Sequence, residues 1–172
     1  MAFFEVTGVD LIVGLHEGRY DAGMLLSGVD DPALKSLPLW IENLAVAMPL
    51  RFHLLDRERL TIAELLNYPL FRWQAESCPQ LDQRLSVLPA VSQHSIQHVA
   101  SFEMLALKVA AGYGVGISAQ SRVARAHEWG ISTRPLADGP YEIVTHLQRR
   151  EGETSPASER FERRARQVAA MI

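Results

Sequence analysis

The sequence predicts a mixed α/β protein in which short buried strands alternate with amphipathic helices. The stretch 101–118, SFEMLALKVAAGYGVGIS, is typical of a helix, a tight glycine turn and a strand. The stretch 3–25 has the pattern of a strand, a helix and a second strand, whose short connections favour parallel pairing through a right-handed crossover. With 172 residues, 48% of them hydrophobic, the chain is long enough for one compact domain or two small lobes.

The first part of the chain alternates between strand and helix patterns. Aromatic and β-branched residues predict the first strand, and apolar residues at helical spacing before Gly18 predict the helix. The predicted elements are a strand at Phe3–Val6, a helix at Val9–Leu15, and strands at Tyr20–Leu25, Leu34–Leu39 and Glu42–Pro49.

The middle of the chain contains two local helix signals. Thr61 and Glu64 form the pattern of a capping box, and Pro79 favours the first turn of another helix. A buried strand is predicted between them at Leu70–Trp73. A further strand at Val91–Ala100 leads to Ser101, which is a good N-cap residue for the next helix.

The last part of the chain repeats this alternation. A helix through Val123–Ala126 ends at Gly130, and strands follow at Ile131–Leu136 and Tyr141–Leu147. Ser155 and Pro156 then predict the start of a closing amphipathic helix.

Several of these stretches resemble the effector-binding domain of LysR-type transcriptional regulators. GLHEGRYDAGMLL resembles the L-x-x-G-x-x-D-x-x-I signature, with Asp21 as its aspartate, and VAAGYGVGI resembles the V-x-A-G-x-G-I/V stretch. LKSLPLWIENLAVAMP resembles the pL-x-x-E-x-L-x-x-v stretch, and the closing helix resembles s-P-x-x-x-x-F. The motifs occur in the family's order over nearly the whole chain.

The resemblance implies a two-lobed, periplasmic-binding-protein-like fold with mostly parallel sheets flanked by helices. Residues 1–45 and 137–172 are expected to form the first lobe, and residues 46–136 the second, joined by two crossing strands. The family's first strand and helix of the first lobe are missing, as is its winged helix-turn-helix, so we expect an N-terminally truncated effector domain that binds no DNA itself.

The resemblance also implies an effector-sensing function and a homodimer. A small molecule bound between the lobes is expected to shift their orientation, and the change to reach DNA through the absent domain. The apolar stripes at Val9–Leu15 and Val123–Ala126 are the surfaces expected to pair. A solute-binding receptor of the same fold is the alternative function, and an enzyme is not expected.

The ligand site is predicted at the carboxyl ends of the strands, where ligands bind in open parallel sheets. Helix N-termini and the forked donors of Arg72 favour an anionic effector, which could stack on Trp73. Two plainer interpretations stay open, namely Trp73 as a core residue and Ser101 as a cap only. The predicted ligand-binding residues are Leu26, Ser27, Arg72, Trp73, Gln74, Ser77, Ser101 and Phe102.

Other chemistry is not supported by the sequence. Cys78 lies near a predicted helix start that could depress its pKa, but no paired His and acid form a nucleophile motif. His94 and His98, four apart on a predicted strand, would be about 13 Å apart, too far for one zinc. The glycines of Gly112–Gly116 follow a helix and precede a strand, the reverse of the dinucleotide fingerprint. We therefore predict no cofactor, metal or catalytic residue.

Composition limits the cellular context. No apolar run approaches the roughly 18 residues that span a bilayer, and the start of the chain lacks a signal-peptide pattern. A single cysteine is typical of a reducing compartment, so a cytoplasmic protein without membrane contact is expected. The pI of about 6.1 lacks the basic excess of a nucleic-acid-binding surface.

Overall fold

The protein is an α/β chain in a computed structural model that describes residues 2–89, 95–152 and 154–171. The α-helices are α1 Gly8–His16, α2 Ile62–Leu65, α3 Pro79–Ser86, α4 Phe102–Ala110, α5 Gln120–Arg125 and α6 Pro156–Ala169. The strands are β1 Ala22–Leu25, β2 Leu34–Pro49, β3 Leu70–Trp73, β4 Ile96–Val99, β5 Val115–Ala119, β6 Ile131–Pro135 and β7 Glu142–Arg150. Short 3-10 turns lie at His53–Asp56 and Ala126–Trp129.

Local signals for helix starts are confirmed. The Thr61–Glu64 capping box is present at α2, and the Ser101 side chain accepts from the Met104 amide at the start of α4. Pro79 lies in the first turn of α3. These signals are readable from sequence because both partners lie within one turn of each other.

Contacts divide the chain into two units. The first comprises Met1–Ile41 and Val144–Ile172, and the second comprises Glu42–Ile143. In the first unit, β1 pairs with β7, which neighbours β2, and Leu11 and Leu15 of α1 pack with Leu34 in a small core.

The second unit has a sheet in the order β2-β5-β3-β4, with β6 on β2. The pairs β3–β4 and β3–β5 are parallel, so the carboxyl ends of these strands lie at the same edge. The pairs β2–β5 and β2–β6 are antiparallel. A core of buried residues from β3, α4 and α5 covers the sheet and includes Phe71, Leu105, Val109 and Val123.

The glycines between α4 and β5 are required by geometry. Gly112 ends α4 with a φ of +81°, a left-handed conformation that L side chains rarely adopt. A Cβ on Gly114 would lie 2.2 Å from the carbonyl oxygen of Pro69. Any larger residue there would separate the turn from the chain that enters β3.

Three expectations need correction. Phe3–Val6 is not a strand, because no described strand lies beside it to share a hydrogen-bond ladder. The predicted parallel strand-helix-strand unit is therefore wrong, and β1 instead pairs antiparallel with β7. The stripe at Val123–Ala126 is not a free pairing surface, since both named residues are buried in the second unit's core.

Candidate functional site

The carboxyl end of β3 brings together several predicted ligand-binding residues. Arg72 is buried, at 8% exposure, and its Nη1 donates to Asp82 Oδ1 at 2.7 Å. Trp73 is half-buried, and its indole N–H donates to the carbonyl oxygen of Ala100 at 3.0 Å. The amide of Gln74 donates to the carbonyl of Val99 at 3.1 Å. These bonds hold the end of β3 against the start of α4.

Ser101 and Phe102 lie at that start of α4 and are therefore near Trp73. The Ser101 hydroxyl oxygen accepts from the Met104 amide at 3.2 Å, which leaves its own O–H as a donor. Phe102 is buried in the core, and its ring centroid lies 6.2 Å from that of Trp129. Ser101 thus offers a polar atom at this edge, whereas Phe102 supplies packing beneath it.

The structure adds Glu76, which the sequence analysis did not select. Glu76 is only 6% exposed, and its Oε1 accepts from the Ser118 hydroxyl at 2.7 Å and from the Ala119 amide at 3.3 Å. It also forms an ion pair with Arg122. Burial raises the pKa of Glu76, while the hydrogen bond from Ser118, the charge of Arg122 and the Ala119 amide oppose that rise.

Arg122 connects this buried acid to the aromatic ring of the site. Its guanidinium carbon lies 4.9 Å from the centre of the Trp73 ring, in the geometry of a cation–π contact. The Arg122 side chain is 31% exposed, so it retains access to solvent. The end of β3 therefore carries an aromatic face and a cation held by a buried carboxylate. The only sequence signal was an acid in a polar loop beside predicted ligand residues.

The loop from β3 to α3 contains Ser77 and Cys78. Ser77 is half-buried ahead of α3. Cys78 is buried, and burial raises the pKa of its thiol, so the suggested depression by helix amides is wrong. A thiol with a raised pKa stays protonated near neutral pH and is a poor nucleophile.

Leu26 and Ser27 belong to the first unit, where they follow β1. Both are half-buried. The Ser27 carbonyl accepts from the Gln148 side-chain amide at 3.3 Å, and the same amide donates to the Ser36 hydroxyl at 2.8 Å. Ser27 is thus bonded to β7 within its own unit.

Within residues 2–89, 95–152 and 154–171, no three His, Cys, Asp or Glu side chains form a metal-binding group. His94 lies outside the described residues, and His98 is exposed on β4. No helix among those residues is long and apolar enough to cross a bilayer.

Solved structures of similar fold include effector-binding domains and a full-length protein. The domain of BenM with its effector benzoate matches with a TM-score of 0.77 and 22% identity, covering 98% of this chain and 78% of that one. The QuiR domain in complex with shikimate matches with a TM-score of 0.81 and 17% identity, covering 99% of this chain and 81% of that one. Full-length BenM matches with a TM-score of 0.78 and 23% identity, and this chain covers 57% of its length. These similarities show the two-lobed, periplasmic-binding-protein-like fold.

A comparison with protein families gives the assignment. A search of curated protein sequences found no match. The family model for the LysR substrate binding domain, in contrast, matches residues 3–170, which is nearly the entire chain. This family is a regulatory binding domain and not an enzyme family, in agreement with the sequence prediction. The chain therefore belongs to the LysR substrate-binding domain family.

Proposed function

We propose that this chain is the effector-sensing domain of a LysR-type transcriptional regulator and that it binds a small anionic molecule. The observation that carries the proposal is the family match over residues 3–170. BenM in complex with benzoate and QuiR in complex with shikimate support an acidic effector, because both ligands are small carboxylates.

The proposed binding residues in the second unit surround the end of β3. Trp73 provides a ring for stacking, and Arg122 above it provides a cation. Arg72 has one nitrogen bonded to Asp82 and keeps further N–H donors. The Ser101 hydroxyl, with Gln74 and Ser77 in the adjoining loop, completes the polar groups, and Phe102 supports them from below.

The proposal also covers the first unit. Leu26 and Ser27 are its candidate ligand residues, and the two units are equated with the two lobes of the fold. Effector binding would then change the balance between lobe arrangements, because a ligand shifts an equilibrium by its differential affinity for the two states. DNA would be contacted through a separate winged helix-turn-helix, in the cytoplasm.

A homodimer is part of the proposal. Val9 is 75% exposed and Val13 is 42% exposed on the outer face of α1, whereas Leu11 and Leu15 face the core. An apolar helix face of this kind is suited to pairing with a second copy. Sedimentation of the wild type and of Val13→Glu should give a dimer and a monomer respectively, and a wild type that stays monomeric at high concentration contradicts the pairing.

The ligand proposal is tested by calorimetric titration with a panel of small carboxylates that includes benzoate and shikimate. We expect at least one acid to bind saturably. Its affinity should fall at least about tenfold in Arg122→Gln and in Arg72→Ala, which is the scale of a lost charge-assisted hydrogen bond. Arg125→Gln, on the same helix as Arg122 but exposed and without an ion pair to Glu76, is the matched control and should change affinity less than about twofold. Binding that neither Arg122→Gln nor Arg72→Ala weakens would reject this site.

A further inference from the structure

A concave site lies within the second unit, near the start of α5. Its cavity of about 370 Å³ falls within the roughly 300–1,000 Å³ range of small-molecule pockets. None of its lining residues is among the ligand residues proposed above. The lining consists of Asn43, Leu44, Arg59, Gln120, Pro135, Leu136, Ala137, Gly139, Pro140 and Tyr141.

Backbone hydrogen bonds tie the walls of this cavity together. The Leu60 amide donates to the Pro135 carbonyl at 3.1 Å, and the Ala137 amide donates to the Leu60 carbonyl at 2.7 Å. These two bonds fix Arg59 beside the segment that forms the opposite wall. The Leu44 amide donates to the Tyr141 carbonyl at 2.7 Å and fixes the floor. A site with such walls needs little ordering when a ligand binds.

The cavity carries one charged group. Arg59 has no hydrogen bond or ion pair with any of residues 2–89, 95–152 and 154–171. It therefore presents a complete guanidinium fork, which suits a carboxylate bidentately. The nearby Asp138 is not part of the lining, and its carboxylate already accepts from the Ile62 amide at 3.2 Å.

The remaining lining fits a compact body with hydroxyl groups or an apolar ring. Asn43 and Gln120 are exposed amides that both donate and accept hydrogen bonds. Leu44 and Tyr141 are buried and line the floor, with proline rings at the wall. One cation, two amides and apolar walls together select a small acid with a cyclic body over a neutral or extended molecule.

We propose that this cavity is a second ligand site, which binds small cyclic carboxylates through Arg59. It is separate from the effector site of the proposed function, since it is built mainly from residues 43–44 and 135–141 of the second unit and not from the end of β3.

The test is a proton–nitrogen NMR titration of the whole chain with benzoate, cyclohexanecarboxylate and shikimate, with benzamide as the neutral control. The Gly139 backbone amide and the Gln120 side-chain amide report on this cavity, and the Trp73 indole reports on the effector site. At least one acid should shift the two cavity signals saturably, and benzamide should not. Arg59→Gln should weaken that binding at least about tenfold.

Arg51→Gln is the matched control, because Arg51 is an exposed arginine that lies, like Arg59, between β2 and α2 and lines no part of the cavity. It should change the affinity less than about twofold. The second site is overturned if none of the three acids shifts the cavity signals, or if Arg59→Gln leaves their titration unchanged. Shifts confined to the Trp73 indole would overturn the second site while supporting the effector site, so the two proposals fail separately.

Discussion

Replacing Glu76 by alanine tests whether the buried acid organises the end of β3. The change removes the acceptor of the Ser118 hydroxyl, which is fully buried, and of the Ala119 amide. A buried donor left without an acceptor costs about 1–3 kcal/mol. Arg122 loses its partner as well, but its side chain is 31% exposed and regains water, so we add little for it.

The expected loss in the free energy of unfolding is therefore roughly 2–4 kcal/mol for Glu76→Ala. Glu76→Gln keeps an oxygen for Ser118 and Ala119 and loses only the ion pair, so its loss should be about 1 kcal/mol or less. The assay is urea denaturation at pH 7, followed by tryptophan fluorescence and by circular dichroism to check that the transitions coincide.

Glu58→Ala is the control, because Glu58 is an exposed acid in the same unit and its loss should change stability by less than about 0.5 kcal/mol. If Glu76→Ala behaves like Glu58→Ala, the hydrogen bonds described around Glu76 do not stabilise the unit. If Glu76→Gln costs as much as Glu76→Ala, the charge rather than the acceptor oxygen is responsible and the reasoning is wrong.

Three further predictions concern pH and packing. Burial raises the pKa of Glu76, so the folded state binds this proton more tightly than the unfolded state does. The stability of the wild type relative to Glu76→Gln should therefore fall as the pH rises from the ordinary to the raised pKa. Denaturation midpoints of the two proteins that do not diverge over pH 4–7 contradict this. Burial disfavours ionised Glu162, but hydrogen bonds from arginines including Arg149 outweigh burial and lower its pKa. The contribution of Glu162 to the free energy of unfolding should therefore be present near neutrality and be lost as pH falls through the folded-state pKa. A Glu162→Gln variant that is destabilised as much at pH 3 as at pH 7 refutes this prediction. Gly114→Ala should cost at least about 2 kcal/mol, because its Cβ would meet the Pro69 carbonyl at 2.2 Å, and a denaturation midpoint equal to wild type would exclude that contact.

Elements that depend on neighbouring residues could be predicted from the sequence. The capping box at Thr61 and the cap at Ser101 are confirmed, and β3 has the predicted bounds, Leu70–Trp73. In each case the signal and its partner lie within a few residues, or an apolar run is short and clearly bounded.

Elements that depend on distant partners could not be predicted. Phe3–Val6 has strand composition, yet a strand also needs a neighbour, and composition does not provide one. Glu76 reads as an ordinary loop acid, because its partner Arg122 lies 46 residues away and burial is a property of the folded chain. The burial of Val123 likewise follows from how α5 packs against β5 and β6, which no local pattern records.

The most direct test of the proposed function is the indole region of a proton–nitrogen NMR spectrum during titration with benzoate and shikimate. The chain has three tryptophans, and the indole N–H of Trp73 donates to the Ala100 carbonyl at the start of α4. We expect a bound acid to shift the Trp73 signal saturably and to leave the signal of Trp40, on β2, in place. A saturable shift of Trp40 with Trp73 unmoved, or no shift with either acid, would contradict anion sensing at the end of β3.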